Sequence, residues 1–289
     1  MKSSGFSARQ NPQDSIASET QGVGEKKMDV IVCVKHVPKT ADVELIIDSS
    51  GKRIRTEKLE FDINEWDEYA LEEALLIKER FGVVVTAITV GPQNADKTLR
   101  KCLAKGADRA IRLWDRAFEG SDGYAIAKIL KKAIEQLPFD LILTGTQAAD
   151  DGYSQVGAIL AELLHVPHVT IVKKLEPMRE RVRVNRELEG GLEQIVEVRL
   201  PALFSIQTGI NNLRYVSIMG IKKARRKEIT VLGLRSLNLR RKDVGEAGSW
   251  VTIEALTIPQ EGERAEVVTG EVDDIATKII DILKARGVV

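Results

Sequence analysis

The chain has 289 residues, 43% hydrophobic and 30% charged, enough to bury a substantial core as one large α/β domain with appendages or as two domains. Lys plus Arg and Asp plus Glu both number 43, so the formal charge is zero and no long-range field recommends nucleic acid or an anionic membrane as partner. No apolar run has the length of a membrane span, no His and Cys cluster has metal-ligand spacing, and two cysteines do not make a disulfide framework. A reducing, cytoplasmic compartment is expected.

Residues 1–27 are rich in Ser, Gln and Gly without periodicity, and read as a disordered extension. Asp14, Glu19 and Glu25 are out of place in a transit peptide. From Met28 the pattern alternates strand and helix. DVIVCVKHV is an apolar strand containing Cys33. DEYALEEALLIKERFG is an amphipathic helix with Ala70, Ala74 and Ile77 on one face and Gly82 at its end. VVVTAITV is the next strand. A helix through Cys102, a short strand RAIRL, a helix from Asp122 and the strand FDLILTG follow. Single helices between strands predict right-handed crossovers and a Rossmann-like, mostly parallel sheet with helices on both faces. His36, His165 and His168 read as surface or satisfied histidines.

The stretch LILTGTQAADDGYSQVG, residues 141–157, passes from a buried strand through a Gly-containing turn and an acidic pair, Asp150 and Asp151, to a helix expected to open near Tyr153. It reads either as a phosphate or nucleotide site or as an ordinary connection capped by Asp. With the strand ends at Val34 to Val37 and Val90 to Pro92, it falls on the sheet edge where open α/β folds place ligands. Further on, alternation around Glu189, Gly190 and Gly191 predicts an antiparallel hairpin added to the sheet. A loop, TGINNLRYVSIMG, then carries exposed-looking Ile218 and Met219. The basic run KKARRK at 222–227 is either a solvated helix face or a surface for an acidic partner. Three segments result: the extension 1–27, a nucleotide-binding α/β domain 28–227, and a C-terminal arm 228–289 with a terminal helix, which must wrap another surface.

Five segments in order, VIVCVKHVP, FDINEWDEYALEEAL, ITVGP with KCLAKGADRAIRL, LTGTQAADDGYSQVG, and the long stretch from Val184 to Lys227, resemble the β subunit of electron transfer flavoprotein. The resemblance implies a heterodimer with an α subunit that carries most of a shared FAD. It also implies a second nucleotide in this subunit, either AMP or a bifurcating FAD. The implied cofactor-binding positions are Cys33, Val34, Lys35, Thr40, Asn64, Asp67, Val90, Gly145, Gln147, Asp150, Ser154, Gln155 and Val156. Phosphate would meet the N–H groups around Ser154 to Val156, Asp150 and Asp151 would order the loop, and Asn64 and Gln147 could offer amides to base or sugar. Thr40 stands where respiratory members carry an aromatic residue, and Lys39 where bifurcating members carry an acid.

The resemblance further implies docking through Ile218 and Met219 with Lys223 and Arg226, next to Lys222 and Arg225. Glu187 is implied to pair with the α subunit's flavin domain, or forms a plain cross-strand pair. Implied partners are flavin dehydrogenases such as acyl-CoA dehydrogenases, and a quinone oxidoreductase or ferredoxin as acceptor. No catalytic acid or nucleophile is expected in an electron carrier, and an NADH-linked role would follow only from bifurcation. The competing class, a universal-stress-type or ATP-pyrophosphatase-like nucleotide binder, lacks its SGGxDS-like loop here.

Overall fold

The computed structural model describes residues 28–41, 43–178, 180–259 and 265–288; the expected disorder of 1–27 lies outside them. The chain divides into two compact units, the first including residues 55–252 and the second comprising 46–54 and 253–289.

In the first unit, a nine-stranded sheet has the order β11-β5-β4-β1-β6-β10-β7-β8-β9. Its strands are β1 (Asp29–Cys33), β4 (Val84–Val90), β5 (Arg109–Leu113), β6 (Leu141–Gly145), β7 (His168–Pro177), β8 (Arg181–Glu187), β9 (Glu193–Arg199), β10 (Ala202–Ile206) and β11 (Ile229–Leu232). All neighbours from β11 to β7 are parallel, and β8 and β9 extend the sheet antiparallel. A separate antiparallel pair joins β2 (His36–Pro38) to β3 (Phe61–Ile63).

Because β-strand side chains alternate, β1 feeds two cores. Val30 and Val32 join Ala70, Leu71 and Ala74 of α1 (Glu65–Phe81) and Leu99 and Cys102 of α2 (Asp96–Lys105). Ile31 and Cys33 join Ile129 and Ala133 of α3 (Gly123–Ile134) and Leu160 of α4 (Val156–Leu164). The Ala70, Ala74 and Ile77 face of α1 is buried, and Gly82 ends the helix with a positive φ of 67°. Cys33 and Cys102 are both free and buried, and burial raises both thiols.

Several features differ from the sequence expectation. DVIVCVKHV is not one strand but is split between β1 and, in the separate pair, β2, and the helix expected to open near Tyr153 begins at Val156. Ala202–Ile206 is an interior parallel strand between β6 and β7, beyond the antiparallel hairpin. Ile229–Leu232, expected in the C-terminal arm, pairs with β5 as the opposite edge strand, and residues up to 252 belong to the first unit. The expected loop at Ile218 and Met219 is instead the first turn of α5 (Ile218–Arg226), capped by Ser217 Oγ accepting the Gly220 N–H. Ser at that position is a strong N-cap signal that the apolar residues after it obscured. The short α6 (Gly245–Gly248) closes the first unit.

The second unit contains an Ile47 to Ile54 bridge around a turn in which Asp48 N–H donates to the Arg53 carbonyl. Leu256 N–H donates to the Gly51 carbonyl, and α7 (Val272–Ala285) follows.

Candidate nucleotide site

The carboxyl ends of β1 and β6 meet the amino end of α1. Asn64 precedes α1 and Asp67 lies in its first turn. Asp67 is buried and accepts two backbone donors, Lys35 N–H at 2.7 Å and Gly145 N–H at 2.8 Å. Burial pushes its carboxyl up to about 7, against the pull of those hydrogen bonds. The approach leaves no room at position 145: an added Cβ would stand 2.5 Å from Asp67 Oδ1 and 2.6 Å from Trp66 Cβ. Glycine is required there by contact rather than by φ.

Asn64 is fully buried and its amide bonds within the protein. Nδ2 donates to the Gln147 carbonyl at 2.7 Å and Oδ1 accepts the Ala149 N–H at 2.9 Å. It clamps the loop. Lys35 Nζ reaches across to Asp150 Oδ1 at 2.6 Å and Asp151 Oδ2 at 2.8 Å. Burial disfavours the ammonium, but the two carboxylates win and hold it above its ordinary range. Asp151 Oδ1 also accepts the Tyr153 N–H at 3.1 Å, so the acidic pair orders the loop. Thr146 Oγ1 fastens the start of the loop to the Ile206 carbonyl at 3.0 Å.

Beyond these fastenings, Ser154 takes a positive φ of 54°, uncommon for a residue with a side chain, and Gln155 returns to the right-handed region. Such a reversal turns successive N–H groups toward one point, a concavity suited to an anion. Gln155 makes no side-chain cap to α4, and among the described residues no acceptor receives the N–H groups of Ser154, Gln155 or Val156. Gln147 Oε1 and Ser154 Oγ stand 3.5 Å apart beside them. Directly after Val156, Gly157 lets α4 close on the sheet: an added Cβ would stand 2.5 Å from Ser205 Oγ and 2.8 Å from Thr144 Oγ1. Those hydroxyls pair with each other at 3.0 Å, and Ser205 with His168 Nε2 at 2.9 Å.

The structure thus gathers Lys35, Asn64, Asp67, Gly145, Gln147 and Asp150 into one hydrogen-bonded edge, with Ser154, Gln155 and Val156 beside it. Cys33 and Val34 lie buried beneath it and Val90 ends the adjoining β4. Thr40 is exposed after β2 and makes no hydrogen bond among the described residues. Sequence reasoning missed Trp66, whose Nε1 donates to Gln207 Oε1 at 3.0 Å, and Arg214, which bonds Glu72 and Glu79. Glu72 and Glu79, two turns apart on one face of α1, were the available signal.

Of the docking residues, Ile218 is 74% and Met219 62% exposed, and Lys223 and Arg226 lie exposed on the same helix. Glu187 ends β8 opposite Glu193, a like charge, with Lys173 Nζ 3.7 Å away and Gln207 Nε2 at 3.4 Å.

A family model described as the electron transfer flavoprotein domain matches residues 53–236. The chain is 40% identical over 260 residues to electron transfer flavoprotein subunit beta of Methylophilus methylotrophus, covering 89% of this chain and 98% of that protein. The chain belongs to the electron transfer flavoprotein family, as a β subunit. The subunit beta of Thermoanaerobacterium thermosaccharolyticum is 39% identical over 263 residues, covering 91% of this chain and all of that protein. CarD, a subunit of the caffeyl-CoA reductase-Etf complex of Acetobacterium woodii, is 36% identical over 265 residues at 91% and 100% coverage. Family membership brings an α-subunit partner and a place in electron transfer. No helix among the described residues is long and apolar enough to cross a membrane.

Proposed function

We propose that this β subunit pairs with an electron transfer flavoprotein α subunit to carry electrons between flavin dehydrogenases, such as acyl-CoA dehydrogenases, and a redox acceptor. Its own sheet edge holds the adenosine-phosphate end of a nucleotide, either AMP or a second FAD. The observation that carries this reading is the set of unshared N–H groups at Ser154, Gln155 and Val156, on a loop fastened by Lys35, Asn64 and Asp67. Donors held in place before an anion arrives cost little to organise when it binds.

The residues fit the group. The concavity at Ser154 suits a phosphate, while Asp150 and Asp151 are turned to Lys35 and spared direct repulsion of it. FAD, when bound by the heterodimer, supplies the electron-carrying chemistry, and this chain supplies position and contact surface. Ile218 and Met219 dock the donor enzyme, the basic side chains of α5 steer it, and Glu187 orients the α subunit's flavin domain. The α subunit covers α7, which carries Ile275, Ile279 and Ile282 at helical spacing. The heterodimer works in the cytoplasm.

The experiment follows FAD absorbance in the purified heterodimer on addition of an acyl-CoA dehydrogenase and its substrate. Rapid bleaching that Ile218→Ala slows, with FAD content intact, supports the relay. Failure of the chain to copurify with an α subunit, or FAD that flavin dehydrogenases do not reduce, contradicts it.

A further inference from the structure

Glu72, on α1, is 2% exposed, and a carboxylate so placed needs both a charge partner and filled lone pairs. Arg214 supplies them. Its Nε lies 2.9 Å from each carboxylate oxygen, its Nη2 2.8 Å from Oε1, and its backbone N–H 3.2 Å from Oε2. Its Nη1 extends to Glu79 Oε1 at 2.7 Å. Three residues earlier, Asn211 Nδ2 donates to the Tyr69 carbonyl at 3.1 Å and to Glu73 Oε2 at 3.0 Å. The segment entering α5 is therefore tied to α1.

The far side is tied to α2. An added Cβ at Gly220 would stand 2.2 Å from the Ala104 carbonyl oxygen, so α5 lies directly on that helix. Arg100 Nη1 donates to the Ala224 carbonyl at 2.6 Å and also to that of Lys227. Between these fastenings three large side chains stand in water: Tyr215 at 98% exposure, with Ile218 and Met219. A segment held at both ends with its apolar side chains outward is preorganised for a partner.

We propose that Arg214 is a positioning residue for docking, which, anchored on Glu72 and Glu79, presents Tyr215 beside Ile218 as a second anchor. The partner it fits is a protein with an apolar pocket rimmed by acidic groups, since Lys222, Lys223, Arg225 and Arg226 all lie exposed along α5. Tyrosine suits the role, because it offers a large contact with few torsions to freeze. The inference rests on the docking role proposed for Ile218.

The test uses the intact heterodimer and an acyl-CoA dehydrogenase that reduces the wild type, with KM for the heterodimer, kcat, nucleotide content and amide exchange over 214–221 as readouts. Tyr215→Ala and Arg214→Gln each raise KM by about tenfold with kcat and nucleotide content unchanged, and their combination adds little to either. Arg214→Lys falls between, because an ammonium cannot span both oxygens of Glu72. Should Arg214→Gln fail to fold with Glu72 left unpaired, the neutral pair Glu72→Gln with Arg214→Gln replaces it.

A wild-type KM for Tyr215→Ala, or for Arg214→Lys despite faster exchange over 214–221, overturns the proposal even where Ile218→Ala raises KM. An unchanged KM for Ile218→Ala alone instead removes the docking role of Ile218, leaving Tyr215 to be judged by its own variant.

Discussion

Asp67 Oδ1 accepts the backbone N–H of Gly145 at 2.8 Å, which fastens the first turn of α1 to the end of β6. The second carboxylate oxygen takes the Lys35 N–H in the same way, so one side chain joins the outlets of two neighbouring strands. An amide offers one acceptor where the carboxylate offers two. Asp67→Asn therefore leaves one buried N–H unpaired and lowers stability by about 1–3 kcal/mol. Chemical denaturation of the variant checks this, and an unchanged midpoint contradicts it.

Lys35 bridges Asp150 and Asp151 and offsets one of their two negative charges, on the loop that leads to the N–H groups of Ser154 to Val156. Its side chain is 39% exposed, so Lys35→Met changes global stability by less than about 1 kcal/mol. The two freed carboxylates repel phosphate, and affinity for added AMP falls about tenfold in calorimetric titration of the nucleotide-free heterodimer. Full retention of affinity would show that the acidic pair lies away from the phosphate.

Gly157→Ala drives a methyl group against Ser205 Oγ and Thr144 Oγ1. Overpacking of this kind costs about 1–3 kcal/mol and pushes the start of α4 away from the sheet. A lower melting temperature together with weaker nucleotide binding is expected, the two effects appearing in one variant because one helix serves both.

Most of the strands and helices from Asp29 to Gly145 were legible because apolar runs and amphipathic stretches alternate at clear periods. The break of DVIVCVKHV into β1 and β2, and the three-residue β3 that pairs with β2, were too short to declare themselves. Ala70, Ala74 and Ile77 declared the buried face of α1, and the sheet edge carrying the candidate loop followed from topology. The parallel placement of Ala202–Ile206 was not legible, since a five-residue apolar strand after a hairpin looks the same in either direction. β11, ITVL, is only four residues long and follows a basic run, too short a pattern to announce a strand at the opposite edge of the sheet. At the site, the loop was legible but the tasks of its side chains were not. That Asn64 clamps the loop, through two bonds to the backbone of residues 147 and 149, has no signal in the sequence, because those partners lie 83 and 85 residues away.

His168 carries a pH dependence with a definite sign. Burial, aided by the nearby Arg186 charge, lowers its pKa from 6.5 to about 4. The folded state thus binds fewer protons than the unfolded chain between these values. Its stabilising contribution is complete above about 6.5 and is lost as pH falls toward 4, by up to about 3 kcal/mol. His168→Gln removes that loss, so its denaturation midpoint falls less than the wild type's between pH 7 and pH 4. Parallel curves for the two proteins would contradict the assignment.

The most direct test of the nucleotide site is the adenine-nucleotide content of the heterodimer, released by denaturation and counted as FAD and AMP per heterodimer. One FAD with one AMP, or two FAD, is the expected result, the second pointing to a bifurcating flavin in this subunit. One FAD and no further nucleotide would leave the N–H groups of Ser154, Gln155 and Val156 without their anion and contradict the site.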